Sequence, residues 1–179
     1  MKHIFITGEI GIGKSTLISK LLSLYTGKMT FGFYTKKESM ADDGISRVYI
    51  HAANDSHRSY TKSNCIAACS VQGGTADISV FETTGLSMIV NIPPGSLVVM
   101  DELGVFETTA QEFCSEVLSI LNSDNVVIGA VRLADSPFLQ AVKTHPKVAL
   151  YHMTQHNRDQ LFKTIVKEME GCYKNEKIV

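Results

Sequence analysis

The chain opens on a short apolar run, His3-Ile4-Phe5-Ile6-Thr7, of the β-rich kind that suits a strand. After a glycine-rich stretch, Leu17, Ile18, Leu21, Leu22 and Tyr25 recur at helical spacing. Thr30-Phe31-Gly32-Phe33-Tyr34-Thr35 reads as a second strand, and Ser46-Arg47-Val48-Tyr49-Ile50-His51 alternates like a third. The turn signal Ala41-Asp42-Asp43-Gly44 between them predicts a β-hairpin. Residues 52–76 are polar, rich in Ser, Asn, Gly and Cys, and predict irregular connection or short edge strands. Asp77 to Val80 is expected to form a short strand. A helix is expected from Phe81 to about Val90, ended by the turn at Asn91 to Gly95 with its two prolines.

Leu97-Val98-Val99-Met100 is a continuous apolar run ending on Asp101, which suits a strand buried on both faces of a parallel sheet. From about Glu107 to Leu121, Ala110, Phe113, Val117, Leu118 and Leu121 form one helical face. Val126 to Val131 is another buried-strand candidate. Ser136 to Lys143 predicts a short helix, broken by His145-Pro146. Val148 to His152 predicts a last central strand. A final helix follows Thr154, with Leu161, Phe162, Ile165, Val166 and Met169 inward. Strands alternating with helices call for an α/β fold with right-handed crossovers and a largely parallel sheet. With 179 residues and no repeat or linker, a single domain over 1–179 is expected.

The stretch between the first strand and first helix carries chemistry. Gly8, Gly13, Lys14 and Ser15 complete the phosphate-binding pattern G-x-x-x-x-G-K-[ST] within Gly8-Glu9-Ile10-Gly11-Ile12-Gly13-Lys14-Ser15-Thr16. A strand feeding a glycine loop that opens a helix turns backbone N–H groups inward, making a concave anion site. Lys14 would reach the β- and γ-phosphates of a nucleotide, and the Ser15 hydroxyl would ligate Mg²⁺. The alternative is a glycine-rich turn that matches by chance, which the strand and helix on either side disfavour.

In an open α/β sheet the ligand sits at the carboxyl ends of the strands, and Thr7 and Asp101 both occupy such ends. Val98-Val99-Met100-Asp101-Glu102 has the shape of a Walker B strand. Asp101 would hold Mg²⁺ opposite Ser15, and Glu102, one residue on, would polarise a water for attack on the γ-phosphate. A solvated strand end is the bland alternative. Arg132 follows the 126–131 strand on the same edge, where a guanidinium would stabilise charge on the transferring phosphoryl group. A surface loop arginine would look the same in sequence.

Composition narrows the partners. Apolar content of 44% and charged content of 20% are those of a folded globular protein. The net charge of −1, with no basic run, gives nucleic acid no electrostatic footing. The most apolar long stretch, residues 86–100, is interrupted by Asn91, Pro93, Pro94 and Gly95, so no membrane span is expected. The first residues are not expected to be a cleaved signal, because cleavage would remove the phosphate loop. Cysteines 65, 69, 114 and 172 lack zinc-finger spacing and read as reduced thiols, so a cytoplasmic location is expected.

The chain resembles the THEP1 or cancer-related nucleoside-triphosphatase family. The matching pieces are Ile6-Thr7-Gly8 through Leu17, Gly32-Phe33-Tyr34-Thr35, Val99-Met100-Asp101-Glu102-Leu103-Gly104 with Phe106-Glu107, and Asn157-Arg158. The resemblance implies a RecA-like P-loop fold with an additional strand between the phosphate-loop strand and the Walker B strand. It implies slow hydrolysis of ATP, GTP and other nucleoside triphosphates to the diphosphate with Mg²⁺. By it, Lys14 and Ser15 bind phosphate and Mg²⁺, while Asp101 and Glu102 handle metal and water. The chain departs from the family at Leu103, where Ile is usual, and at Val105-Phe106-Glu107, where Met-Glu-Leu is usual.

Remaining polar residues are ambiguous in sequence. Arg47 resembles a basic residue of the family's hairpin and would either touch phosphate or lie solvated. Asn157 and Arg158 would border the base or merely start the last helix, with Thr154 as its cap. Thr35-Lys36-Lys37-Glu38 is not a guanine-reading element. A nucleotide or small-molecule kinase is the main alternative, but residues 132–147 hold only Arg132 where an arginine-rich lid would be needed. A slow nucleotide switch or assembly factor is a further alternative. Protein partners are not readable.

Overall fold

Every residue of His3–Gly8, β1, is buried, because the strand lies inside a sheet covered on both faces. The computed structural model describes residues 3–25, 29–39 and 41–172, with side chains through Met169. In chain order follow α1 (Lys14–Leu22), β2 (Thr30–Lys37), β3 (Ser46–Ala52), β4 (Cys65–Ser70), β5 (Gly73–Ala76) and α2 (Ile78–Val80). α2 runs on into a π-helical turn at Phe81–Gly85. Then come β6 (Leu97–Leu103), α3 (Gln111–Asn122), β7 (Val126–Val131), α4 (Pro137–Lys143), β8 (Val148–Met153) and α5 (Arg158–Cys172).

The eight strands form one sheet in the order β5-β4-β3-β2-β6-β7-β1-β8. From β2 to β8 neighbouring strands are parallel, while β3, β4 and β5 add an antiparallel meander. β2 is the junction, parallel to β6 and antiparallel to β3. β7 lies between β1 and β6, the added strand that the resemblance implies.

Alternation along each strand sends side chains to two cores. Ile4 and Ile6 pack with Leu17, Ile18 and Leu21 of α1 and with Ile165 and Met169 of α5. Phe5 faces the other way, toward Phe113 and Val117 of α3 and Leu139 and Val142 of α4. Phe113 anchors that second core, its ring 5.5 Å from Phe33 and 5.4 Å from Phe81. The start of α3 is fixed from outside: the Glu82 carboxylate accepts the Glu112 and Phe113 N–H groups at 3.1 and 3.0 Å. An acid there also suits the positive end of the helix dipole.

Three elements differ from the sequence reading. Asp77 to Val80 is not a strand: Val80 N–H bonds back to the Asp77 carbonyl, the Ser79 hydroxyl donates to the Asp77 carboxylate at 2.6 Å, and the chain turns helical there. The strand lies just before it, as β5, which forms the sheet's edge beside β4, so the polar 52–76 stretch ends in two short strands. β8 is an edge strand rather than a central one, which its half-exposed pattern reflects. The helix expected from Glu107 begins at Gln111. Its apolar face holds Ile120, fully packed, where Leu118 was expected and is only partly buried. Ser136 caps α4, its hydroxyl accepting the Leu139 N–H at 3.1 Å ahead of Pro137.

His3 ties this sheet to α3. Its Nε2 donates to the Leu121 carbonyl at 2.9 Å and its Nδ1 accepts the Val127 N–H at 3.3 Å, an arrangement only the neutral ring allows. Burial pushes its pKa below the usual 6.5, with His145 and Lys147 adding to the shift. The unfolded chain therefore binds this proton first, so the stability His3 contributes is present above pH 6.5 and lost as pH falls below it. The urea midpoint of the parent should exceed that of His3→Gln at pH 7.5, and the gap should narrow steadily toward pH 5.

Candidate active site

Helix α1 begins without a side-chain cap. Gly13, its N-cap, sits at φ 109°, ψ 20°, and no acid occupies the first turn. The first-turn N–H groups are thus left to an incoming anion, at the positive end of the helix. Gly8, at φ 151°, closes the other end of the loop. A Cβ on it would lie 2.5 Å from the Met153 carbonyl oxygen, so β8 holds the loop in a curl that only glycine fits.

Lys14 is 5% exposed, and its Nζ donates to the Gly8 and Glu9 carbonyls at 3.0 Å each. It also stands 3.4 Å from Glu102 Oε2. The opposite oxygen, Glu102 Oε1, accepts from Arg132 Nε at 2.7 Å. One carboxylate therefore bridges a cation from the loop and a cation from the end of β7.

The ladder between β6 and β7 slips between Met100 and Leu103, which takes Asp101 and Glu102 out of regular pairing on that side. The Glu102 N–H bonds instead to the Thr35 hydroxyl of β2 at 3.2 Å. Beyond the slip, Arg132 N–H returns to the Leu103 carbonyl at 2.9 Å. Asp101 is 3% exposed, and burial pushes its carboxyl up to about 6; the Ser15 side chain, hydrogen-bonded to it, and Lys14 pull the other way, while Glu102 raises it further. Its neighbour across the β2 ladder is Tyr34.

A metal is judged by the donors present. Among the described residues no group of three or more His, Cys, Asp and Glu makes a metal cage. Ser15 and Asp101 offer a hydroxyl and a buried carboxyl short of compensating charge. That pair suits a hard cation that keeps waters and phosphate oxygens in most of its coordination shell, as Mg²⁺ does.

The structure gathers Gly8 to Thr16, Asp101, Glu102 and Arg132 at one sheet edge, but not Arg47. Arg47 pairs with Asp43 in the β2–β3 hairpin at 2.6 Å, both exposed, where such a pair contributes little. Thr154 does not cap α5. Asn157 occupies that place, its Oδ1 accepting the Thr154 N–H and its Nδ2 donating to the His152 carbonyl, each at 2.8 Å. Arg158 reaches over the loop: a Cβ on Gly13 would lie 3.7 Å from its Cδ. A cavity of about 590 Å³ opens there between α1 and α5, lined by Gly13, Thr16, Lys20, Met153, Arg158 and Phe162. Cys65, Cys69 and Cys114 are free thiols, as read from their spacing.

Sequence reasoning missed Thr35 and Glu107 as parts of the site. Glu107, 4% exposed, folds back so that Oε1 accepts the Gly104 N–H in a short hydrogen bond. Burial pushes its carboxyl up to about 7. Thr35 lies within a piece that carries the family resemblance, and Glu107 within one that the resemblance matches only in part.

The model of a family described as NTPase matches residues 3–166. The chain is 27% identical to the nucleoside-triphosphatase THEP1 of Thermotoga petrophila, over 91% of this chain and 90% of that one. It is 27% identical to the cancer-related nucleoside-triphosphatase homolog of Bos taurus, over 97% and 99%. Its fold is similar to that of THEP1 from Aquifex aeolicus, with a TM-score of 0.70 at 22% identity, covering 94% and 99% of the two chains. The human cancer-related nucleoside triphosphatase gives a TM-score of 0.65 at 22% identity, covering 99% and 100%.

The motif predicts Lys14 on the β- and γ-phosphates, so removing its ammonium would cost a charge-assisted contact there and leave the Gly8 and Glu9 carbonyls without their donor. Lys14→Ala should weaken ATP binding by roughly tenfold or more, the scale of a hydrogen bond to a charged group. ADP should lose less. Titration with both nucleotides checks this, and equal losses would place Lys14 away from the terminal phosphate.

Proposed function

The chain belongs to this NTPase family, and on that premise we propose that it hydrolyses nucleoside triphosphates, ATP and GTP among them, to the diphosphate and inorganic phosphate. Glu102, held between Lys14 and Arg132 at the carboxyl end of β6, is the observation that carries the reading. Ser15 and Asp101 would hold Mg²⁺, which when bound neutralises charge on the β- and γ-phosphate oxygens. The uncapped N–H groups of α1 and its loop bind the phosphates, and Lys14 exchanges carbonyl oxygens for phosphate oxygens. That exchange draws Lys14 from Glu102, freeing one carboxylate oxygen to orient a water and accept its proton. The water oxygen bonds to the γ-phosphorus as the bond to the bridging oxygen breaks, so the diphosphate leaves with the electron pair. Arg132 remains beside the carboxylate, where its guanidinium meets charge that grows in the transition state. The cavity beside Arg158 adjoins the loop at Thr16 and has room for ribose and base.

Glu102→Gln tests the reading. The swap keeps size and removes the charge that polarises water, while Asp101 and Ser15 are untouched. Affinity for Mg²⁺-ATP should hold within a few-fold, and phosphate release should fall by roughly 10²-fold, the scale of a lost general base. Loss of binding as well would make Glu102 a metal ligand. The parent should release phosphate from a panel of nucleoside triphosphates with no acceptor present; turnover only with a nucleoside or nucleotide acceptor would make the protein a kinase.

Arg132→Ala should lower turnover more than binding, because it removes both the transition-state charge and the partner of Glu102. Single-turnover rates and nucleotide affinity on one preparation separate the two. Unchanged turnover would return Arg132 to the surface.

A further inference from the structure

The segment from Gly104 to Ala110 follows the Walker B strand and is not helical, yet it buries a carboxyl group. Glu107 is 4% exposed and has its own backbone fixed: its carbonyl accepts the Ala110 N–H at 2.7 Å and the Cys114 thiol at 3.1 Å. Its Oε1 accepts the Gly104 N–H. That N–H belongs to the same peptide unit as the Leu103 carbonyl, which accepts the Arg132 N–H at 2.9 Å. One peptide plane is therefore held from both ends, by Glu107 and by Arg132. Gly104 is also the floor under the Arg132 side chain: a Cβ there would stand 3.4 Å from Cδ and 3.5 Å from Nε, the nitrogen that bonds Glu102.

We propose that Glu107 is a positioning residue of the hydrolytic site, its carboxyl oxygen clamping the Leu103–Gly104 peptide so that Arg132 holds Glu102 in the water-orienting pose. The inference rests on the hydrolytic reading above, but the clamp itself exists or not independently of turnover. What the clamp requires is reach, not charge. A burial that leaves Glu107 half-protonated near neutral pH is compatible with this, since a carboxyl oxygen accepts a hydrogen bond in either state. Misplacement of a catalytic group by about 1 Å lowers rates by up to roughly 10²-fold, so a small release of this loop is enough to matter.

Two variants separate reach from charge. Glu107→Gln keeps an oxygen at the same distance and drops the charge; Glu107→Asp keeps the charge and withdraws the oxygen by one methylene. Glu107→Gln should hydrolyse ATP within about twofold of the parent. Glu107→Asp should lose roughly tenfold or more in kcat with KM nearly unchanged. In an Arg132→Ala background the Asp substitution should cost less than about twofold, because the group being positioned is gone. The Gly104 amide resonance supplies a readout that needs no turnover. It should be downfield and slow to exchange in the parent and in Glu107→Gln, and exchange quickly in Glu107→Asp. A protein that releases no phosphate would sink the hydrolytic reading and leave this measurement to decide the clamp. A slow Gln variant beside an active Asp variant, or an undiminished loss in the Arg132→Ala background, would overturn the proposal. If Glu107→Asp does not fold, exchange in the parent decides it: a Gly104 amide exchanging like an exposed loop amide overturns the clamp.

Discussion

A buried ammonium group governs this molecule. Lys14 is almost removed from water, and a charge so placed is costly unless oxygens surround it. The phosphate loop supplies two carbonyls and β6 supplies a carboxylate oxygen. Curling the loop to present those carbonyls demands positive φ at Gly8 and Gly13, and the same curl leaves the first N–H groups of α1 open. Anion binding and the satisfaction of Lys14 are thus one structural problem with one solution. Oxygens already surround Lys14, so the pocket proposed for the triphosphate is built in advance.

Holding that site still is the task of two cores that meet at β1. α1 and α5 cover one face and α3 and α4 the other, and the loop emerges where the buried strand can no longer be paired. The edges are looser by comparison. β5 has four residues, and its three exposed positions leave the antiparallel end of the sheet thinly covered. Deleting the Phe113 ring would leave a hole facing both Phe33 and Phe81, a change that in protein cores costs roughly 3–5 kcal/mol. Sheet position and core depth run in parallel here: Asp101, Glu102 and Arg132 stand at the ends of the deeply buried β6 and β7.

What could be read in sequence is what depends on local chemistry. The phosphate loop needs its glycines, lysine and serine at fixed spacing, so it announces itself. An apolar run ending in Asp101-Glu102 does the same. Pairing order is another matter, since Val148 to His152 carries the apolar residues of a central strand yet ends at an edge. Its neighbours are chosen by crossovers far away in the chain. Single-residue turns were also hidden. Asp77 serves a helix start rather than a strand because Ser79 and Val80 bond back to it, and Asn157 replaces Thr154 through two contacts with the end of β8. Glu107 looked like the first turn of a helix because its spacing to Phe113 and Val117 permits it. Only the folded chain shows that its carboxyl is spent on Gly104.

The inserted strand sets the width of the site. Neighbouring strands stand about 4.8 Å apart, so placing β7 between β1 and β6 separates the phosphate-loop strand from the Walker B strand by roughly 10 Å. Lys14 spans the gap with its four-carbon stem, and Arg132 rises from the middle strand to meet Glu102 within it. The ladder slip after Met100 is what turns the carboxylate into this space, since regular pairing would carry Glu102 on along the sheet. The Glu102 and Gly104 N–H groups at the slip find acceptors in Thr35 and Glu107. Glu102 therefore sits where the β6–β7 ladder stops repeating, its carboxylate held by Lys14 and Arg132 and its backbone N–H by Thr35.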